Sequence, residues 1–306
     1  MAAAQYCTNI QYYIPFAQLS PCPLWCLTPR WTRALLYAVG MEIFELKCFG
    51  VRAGEGNVAL VVLGDGGDAQ ARQAFAAEAA KPACAFVDAG DEEAGFTLDY
   101  FYPHTRSPLC LHATLAAGRV LLERQPGPLR VRTAMRGQLL TLSMRDGDVF
   151  ISLSRQQAPS PALPEELPAQ LLAQPGLQLA SAPAVASVGS PKLLLEVADS
   201  ATLAALQPDL PAIQAWGQQH GVSGCYAWCR RPDGAFEGRN FNHLDPALED
   251  AATGVAAGAL TVHLGHSLAL YQGAHLGQPC KLETVLDGEQ ILIGGAAAFA
   301  PALQQP

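Results

Sequence analysis

The strongest constraint on this chain is a pattern that occurs twice at one separation. His112–Arg124 reads as a helix apolar on nearly every face, through Leu115, Ala116, Ala117, Val120, Leu121 and Leu122, and Thr253–Leu264 reads the same way. Each is followed by strand-like alternation broken by Asp-Gly, at Asp146-Gly147 and Asp287-Gly288. His112 precedes its aspartate by 34 residues and Thr253 precedes its own by 34, so one offset of 141 relates both landmarks. A helix with no polar face, yet too short for a bilayer, must be wrapped by other elements. Asp-Gly between alternating runs is a hairpin turn. The expected fold is therefore α+β: two pseudo-symmetric lobes, each a mostly antiparallel β-sheet or open barrel wrapped around a central buried helix.

Other segments arrange themselves around these landmarks. Strands are expected from Met41 to about Phe49, at Val58–Leu63 and at Phe96–Tyr102, with a helix over Ala69–Ala80. Leu129–Thr133 and the hairpin Leu139–Met144/Val149–Leu153 complete the first half. In the second half the strands are Tyr226–Arg230, Phe236–Phe241 and the hairpin Lys281–Leu286/Gln290–Ile293. Gln156–Pro183 is dense in Pro, Ala, Gln and Leu and reads as a linker with a short helix near Glu165–Ala173. The expected organisation is a first lobe over 41–155, a linker over 156–183 and a second lobe over 184–300. Residues 1–40, broken by Pro15, Pro21, Pro23 and Pro29, are expected to be an extension, with the native protein beginning at Met41. No basic stretch precedes a continuous apolar run there, which argues against a secretory signal.

Composition narrows the function. Half of the 306 residues are hydrophobic and 15% are charged, enough apolar material for a large core. Lys and Arg number 19 against 27 Asp and Glu, a net charge of −8, which argues against nucleic-acid and anionic-membrane partners. The nine cysteines are odd in number and follow no regular framework, as expected of reduced thiols in a cytoplasmic protein. No metal is expected: Cys22 and Cys26 lack a second ligand pair, Cys225 and Cys229 read as core, and His263 and His266 have no carboxylate at matching spacing. If the lobes face each other about a pseudo-twofold axis, both helix N-termini converge on one cleft. Their free N–H groups and partial positive charge suit a small carboxylate without a cationic side chain.

The helix starts read Leu109-Cys110-Leu111-His112-Ala113-Thr114-Leu115-Ala116 and Glu249-Asp250-Ala251-Ala252-Thr253-Gly254-Val255-Ala256-Ala257-Gly258-Ala259-Leu260. On these two signatures, with Gly56-Asn57, Gly189-Ser190-Pro191-Lys192-Leu193-Leu194 and Gln272-Gly273, the sequence from Met41 to about Phe299 resembles the PhzF-like family of phenazine biosynthesis. That family is kin of diaminopimelate epimerase and proline racemase. The resemblance implies a cofactor-free isomerase or epimerase of a small carboxylate-bearing metabolite, and a homodimer at the family level. It carries the signature histidine onto His112 and the signature aspartate onto Asp250, for proton handling or substrate orientation. Cys110 falls where the epimerase branch has one of its two catalytic thiols, and the offset of 141 makes Ala251 its partner position. Substrate is expected against Gly56, Asn57, Ala113, Thr114, Thr253, Gly254 and Val255.

The family's proton-shuttling glutamate falls on Ala83, because Phe86-Val87 anchors that stretch. Alanine carries no proton. Two functions of different classes follow: an isomerase whose acid–base group is Cys110, or Cys84 beside Ala83, and a catalytically silent small-carboxylate-binding protein on the same fold. Further departures surround the same cleft. Leu111 replaces a glycine, Arg106 stands where an acidic residue is common, Val58 and Ala251 replace prolines, and Val255 replaces a serine suited to gripping carboxylate. Asp250 is expected as an N-cap, with Glu249 as a second carboxylate at the same helix mouth.

Overall fold

The computed structural model describes residues 40–52, 54–241 and 249–300. The expected extension, with Cys7, Cys22 and Cys26, falls outside them apart from Gly40, and so does 242–248. The first lobe runs β1 (Glu42–Cys48), β2 (Asn57–Leu63), α1 (Ala69–Ala79), β3 (Cys84–Ala89), β4 (Phe96–Phe101), β5 (Arg106–Ser107), α2 (Leu111–Arg124), β6 (Leu129–Thr133), β7 (Leu139–Arg145) and β8 (Asp148–Ser154). A short helix, α3 (Leu167–Leu171), lies in the connection. The second lobe runs β9 (Ala184–Ala186), β10 (Lys192–Glu196), α4 (Ser200–Ala205), α5 (Leu210–His220), β11 (Cys225–Arg230), β12 (Phe236–Phe241), β13 (Glu249–Asp250), α6 (Gly254–Leu264), β14 (Leu268–Gln272), β15 (Cys280–Asp287), β16 (Gln290–Gly295) and β17 (Ala297–Phe299). Among the described residues no helix is long and apolar enough to cross a membrane.

Both lobes use one pairing scheme. β2–β3 and β10–β11 are parallel, β3–β4 and β11–β12 antiparallel, and β4–β6 and β12–β14 parallel. The meanders β6–β7–β8 and β14–β15–β16 are antiparallel. β8 then pairs with β16 along its length and β17 returns to β1, giving one continuous sheet of 17 strands among the described residues.

Residue patterning explains the layers. β2 is apolar at successive positions because both of its faces are covered. Ala59 and Val61 belong to the central core with α2, whereas Leu60 and Val62 pack with Ala76 and Phe75 of α1. On β10, Leu194 joins the central core while Leu193 and Leu195 pack with Leu203 of α4 and Ile213 of α5. The inner helices α2 and α6 lie close against the sheet at Gly118 and Gly258. A Cβ there would sit 2.9 Å from Val149 Cγ1 and 2.7 Å from Ile293 Cδ1. Their buried hydroxyls are paired, Thr114 with Tyr100 and Thr261 with Thr284, both at 2.7 Å.

The offset between the lobes is not constant. β3 and β11 start 141 residues apart, but the N-caps of α2 and α6 are Cys110 and Thr253, 143 apart. The hairpins differ by 142, since Arg145↔Asp148 and Asp287↔Gln290 close them. Asp146-Gly147 therefore forms the first turn, whereas Asp287 ends β15 and Gly288-Glu289 forms the second. This corrects the expected symmetry: the partner of Cys110 is Thr253, not Ala251.

Candidate active site

The two inner helices meet at their N-termini. A Cβ on Gly254 would lie 2.7 Å from Leu111 Cβ, so the large residue at one helix start fits because the other has none. Beside this contact is a cavity of about 240 Å³ walled by both lobes. Cys110, Leu111 and His112 enter it from α2, and Thr253, Gly254 and Val255 from α6.

The first lobe contributes groups held neutral by burial. Cys110 Sγ lies 3.4 Å from His112 Nδ1. Desolvation pushes the Cys110 thiol up to about 12, with the Ala113 N–H and the Tyr102 hydroxyl pulling the other way. Burial pulls His112 down to about 4. At neutral pH this wall therefore offers a thiol and an uncharged imidazole.

The second lobe contributes charge. Asp250 Oδ2 accepts from Asn240 Nδ2 at 3.2 Å and from Thr253 Oγ1 at 3.1 Å. Gln272 Nε2 donates to the Asp250 carbonyl and to Thr253 Oγ1, and the Tyr226 hydroxyl donates to Gln272 Oε1. Burial raises the Asp250 carboxyl, while Lys192, Thr253 and Asn240 oppose the rise. Lys192 reaches the cavity from β10 and is buried, its Nζ donating to the Ser223 carbonyl. Burial brings it down to about 8 against the pull of Asp250. From the first lobe Arg136, between β6 and β7, also lines the cavity and donates to the Gly189 carbonyl at 3.1 Å. Cationic side chains thus stand at this site, contrary to what the sparse Lys and Arg suggested.

Several expected residues take other places. Asp250 is not the cap of α6: Thr253 is, and its hydroxyl is turned to Asp250. Glu249, one residue along β13, faces away and is held by Arg239 at 2.9 and 2.8 Å and by His275 at 3.0 Å. In the first lobe Arg106 occupies the equivalent place and binds Asp99 at 2.8 Å, so the ion pair persists with its polarity reversed. Cys84 is separated from the cavity because strand alternation turns it to the outer face of β3, among Leu60, Phe86 and Phe101, where burial pushes its thiol up to about 12. Ala113 and Thr114 are buried within α2, and Thr114 Oγ1 donates to the Cys110 carbonyl. Asn57, following Gly56, braces the cavity wall from behind by donating to the Ala252 carbonyl at 3.3 Å. Ala83 lies fully buried immediately before β3, its carbonyl taking the Leu60 N–H at 2.9 Å.

Sequence reasoning missed Lys192, Arg136, Tyr102 and Ser107 as cavity groups. Lys192 alternates with the inward Leu194, which is the signal that assigns its side. Ser107 is the first-lobe equivalent of Asp250, visible once the strands are registered.

The fold agrees with what comparison finds. The phenazine biosynthesis-like protein family, PhzC-PhzF, matches residues 46–301. The chain belongs to that family. An uncharacterized isomerase of Deinococcus radiodurans is 30% identical over 83% of this chain and 91% of its own length. Trans-2,3-dihydro-3-hydroxyanthranilate isomerase of Pseudomonas aeruginosa is 29% identical over 70% of this chain and 81% of its own. The crystal structure of a Bacillus anthracis phenazine biosynthesis protein of the PhzF family shares the fold, with a TM-score of 0.71 at 22% identity over 85% of this chain and 96% of that one.

Proposed function

We propose that the protein is a cofactor-independent isomerase or epimerase that moves a proton between carbon positions of a small carboxylate metabolite in the interlobe cavity. The observation that carries this reading is the shared cavity itself: Cys110, His112 and Asp250 line one space at two facing helix starts, in a chain of the PhzF-like family. The substrate carboxylate lies against the N-terminal amides of α2 and α6, including Gly254 and Val255. Asp250, oriented by Asn240 and Thr253, and the neutral His112 orient substrate or pass its proton. Cys110 acts as a weak donor rather than a nucleophile, because its thiol is not ionised near neutrality. The substrate classes to try are dihydroanthranilate-like acids, after the Pseudomonas aeruginosa relative, and cyclic amino acids, after the kinship with proline racemase that the resemblance implies.

Solvent deuterium exchange is the test. Incorporation from deuterium oxide into trans-2,3-dihydro-3-hydroxyanthranilate or trans-4-hydroxy-L-proline, read by proton NMR, supports the reading, and Asp250→Asn is expected to slow it by at least about 10²-fold. A second reading, a silent small-carboxylate binder, is favoured by Ala83, which stands where the family carries its glutamate. Binding of these acids without exchange, together with exchange appearing on Ala83→Glu, would establish that reading instead.

A further inference from the structure

We propose that Lys192 is the acid–base residue of the interlobe cavity, its amine taking a proton from a carbon of the carboxylate substrate and its ammonium returning it at a second position. This deepens the isomerase reading and rests on it. β10 holds the Lys192 side chain on the inner face of the sheet, buried, on the cavity wall, with one hydrogen bond, to the Ser223 carbonyl. Burying an amine is costly, and the duplicated frame does not require one. The registers Leu60↔Cys84 and Leu193↔Cys225 make Ala59 the first-lobe equivalent of Lys192, and there a buried methyl suffices.

Lys192 shares the cavity with Asp250 on β13 and with Cys110, His112, Tyr102 and Arg136, and feels the charge of Asp250 and, from the outer face of β11, of Cys225. Burial favours the neutral amine and Asp250 the ammonium, and the balance falls at about 8. The Cys110 thiol at about 12 and the His112 imidazole at about 4 are poorly matched to proton transfer near neutrality. Asp250 has one oxygen engaged by Asn240 and Thr253. Holding the substrate anion does not call for the lysine, since two helix starts and Arg136 already face the cavity. In the step itself the amine lone pair forms an N–H bond as the C–H bond breaks. The released electron pair spreads toward the substrate carboxylate, which the α2 and α6 amides stabilise. The ammonium then gives the same proton to another carbon, with no net oxidation or reduction.

The test uses the full chain, the same two acids and two variants. Lys192→Met removes the amine, whereas Lys192→Arg keeps a cation that cannot act as a base near neutrality. Wild-type exchange should rise about tenfold per pH unit below the lysine's midpoint and level off above it, and both variants should lose at least about 10²-fold while still binding anthranilate. Lys281→Met, at a half-buried strand position away from the cavity lining, should exchange like wild type. Exchange retained within about threefold in Lys192→Arg overturns the proposal and leaves the isomerase reading standing. No exchange by wild type with either acid overturns both. Should Lys192→Met not fold, Lys192→Arg and cyanate labelling of the wild type decide: carbamylation at Lys192 near pH 8 that anthranilate blocks supports an active cavity amine, and an unreactive Lys192 overturns it.

Discussion

At the scale of single residues, burial sets the protonation of this cavity more than pairing does. His112 is the clearest instance. Its pKa falls from 6.5 to about 4 in the folded chain, so as pH drops the unfolded chain takes up the proton first. Stability should therefore fall between about pH 6.5 and pH 4, by on the order of 3 kcal/mol from this group. Asp250, raised by burial, acts with the opposite sign in acid. Comparing urea midpoints of wild type and His112→Asn across that range isolates the histidine, and an unchanged slope would show that His112 is not the buried neutral base. The thiols make a second expectation. With Cys84 and Cys110 near 12, iodoacetamide at pH 8 should leave both unmodified in the native chain, and rapid alkylation of Cys110 would reveal a thiolate.

At the scale of elements, the two inner helices and the short strands before them determine what the cavity can hold. Leu111 against Gly254 is a size exchange across the pseudo-twofold axis. Gly254→Ala should cost about 1–3 kcal/mol by overpacking, and the double variant with Leu111→Gly should cost less than the sum of the two. Thermal melts of the four chains measure that coupling. The reversed ion pairs, Asp99–Arg106 and Arg239–Glu249, fasten β5 and β13 to their neighbours. Arg239 also donates to the carbonyls of Leu203 and Leu206, tying α4 to the sheet. Arg239→Met should thus destabilise by about 3–5 kcal/mol, because Glu249 is left largely buried beside His275 alone. A loss under about 1 kcal/mol in denaturant titration would show the pair to be peripheral.

At the scale of the whole molecule, the β8–β16 and β1–β17 pairings make the two lobes one sheet, and the largest apolar cluster draws on both. Folding of one half is expected to depend on the other. Leu142→Ala in β7, fully buried in the first lobe, should cost about 2–5 kcal/mol. Native-state hydrogen exchange should then show β10 and β11 amides losing protection together with those of β7. Protection lost in the first lobe alone would mean that the lobes open independently. Continuity also matters for the cavity, since its walls belong to different lobes and stay in register only while the shared sheet does.

The duplicated apolar helices and hairpins were legible in the sequence because those patterns are local: all-round apolarity and an Asp-Gly turn are written into consecutive residues. From them came the α+β class, two pseudo-symmetric lobes and inner helices at the centre. The outer helices α4 and α5 are not legible in the sequence although Asp199 and Asp209 cap them, because short amphipathic turns carry little periodicity. The segment that forms β10 carries no unambiguous strand signal, since a continuous apolar run is as compatible with a buried helix as with a parallel strand. Side assignments depended on tertiary structure for the same reason. A one-residue shift reverses a strand's faces, and that alone turned Glu249 away from Asp250 and Cys84 away from Cys110. The constant offset of 141 concealed slips to 142 and 143, which only strand pairing reveals. Family and frame are legible in the order of the residues alone. Tertiary structure decided which titratable groups share a space, because burial and convergence are properties of residues far apart in the chain, Lys192, Asp250 and Cys110 among them.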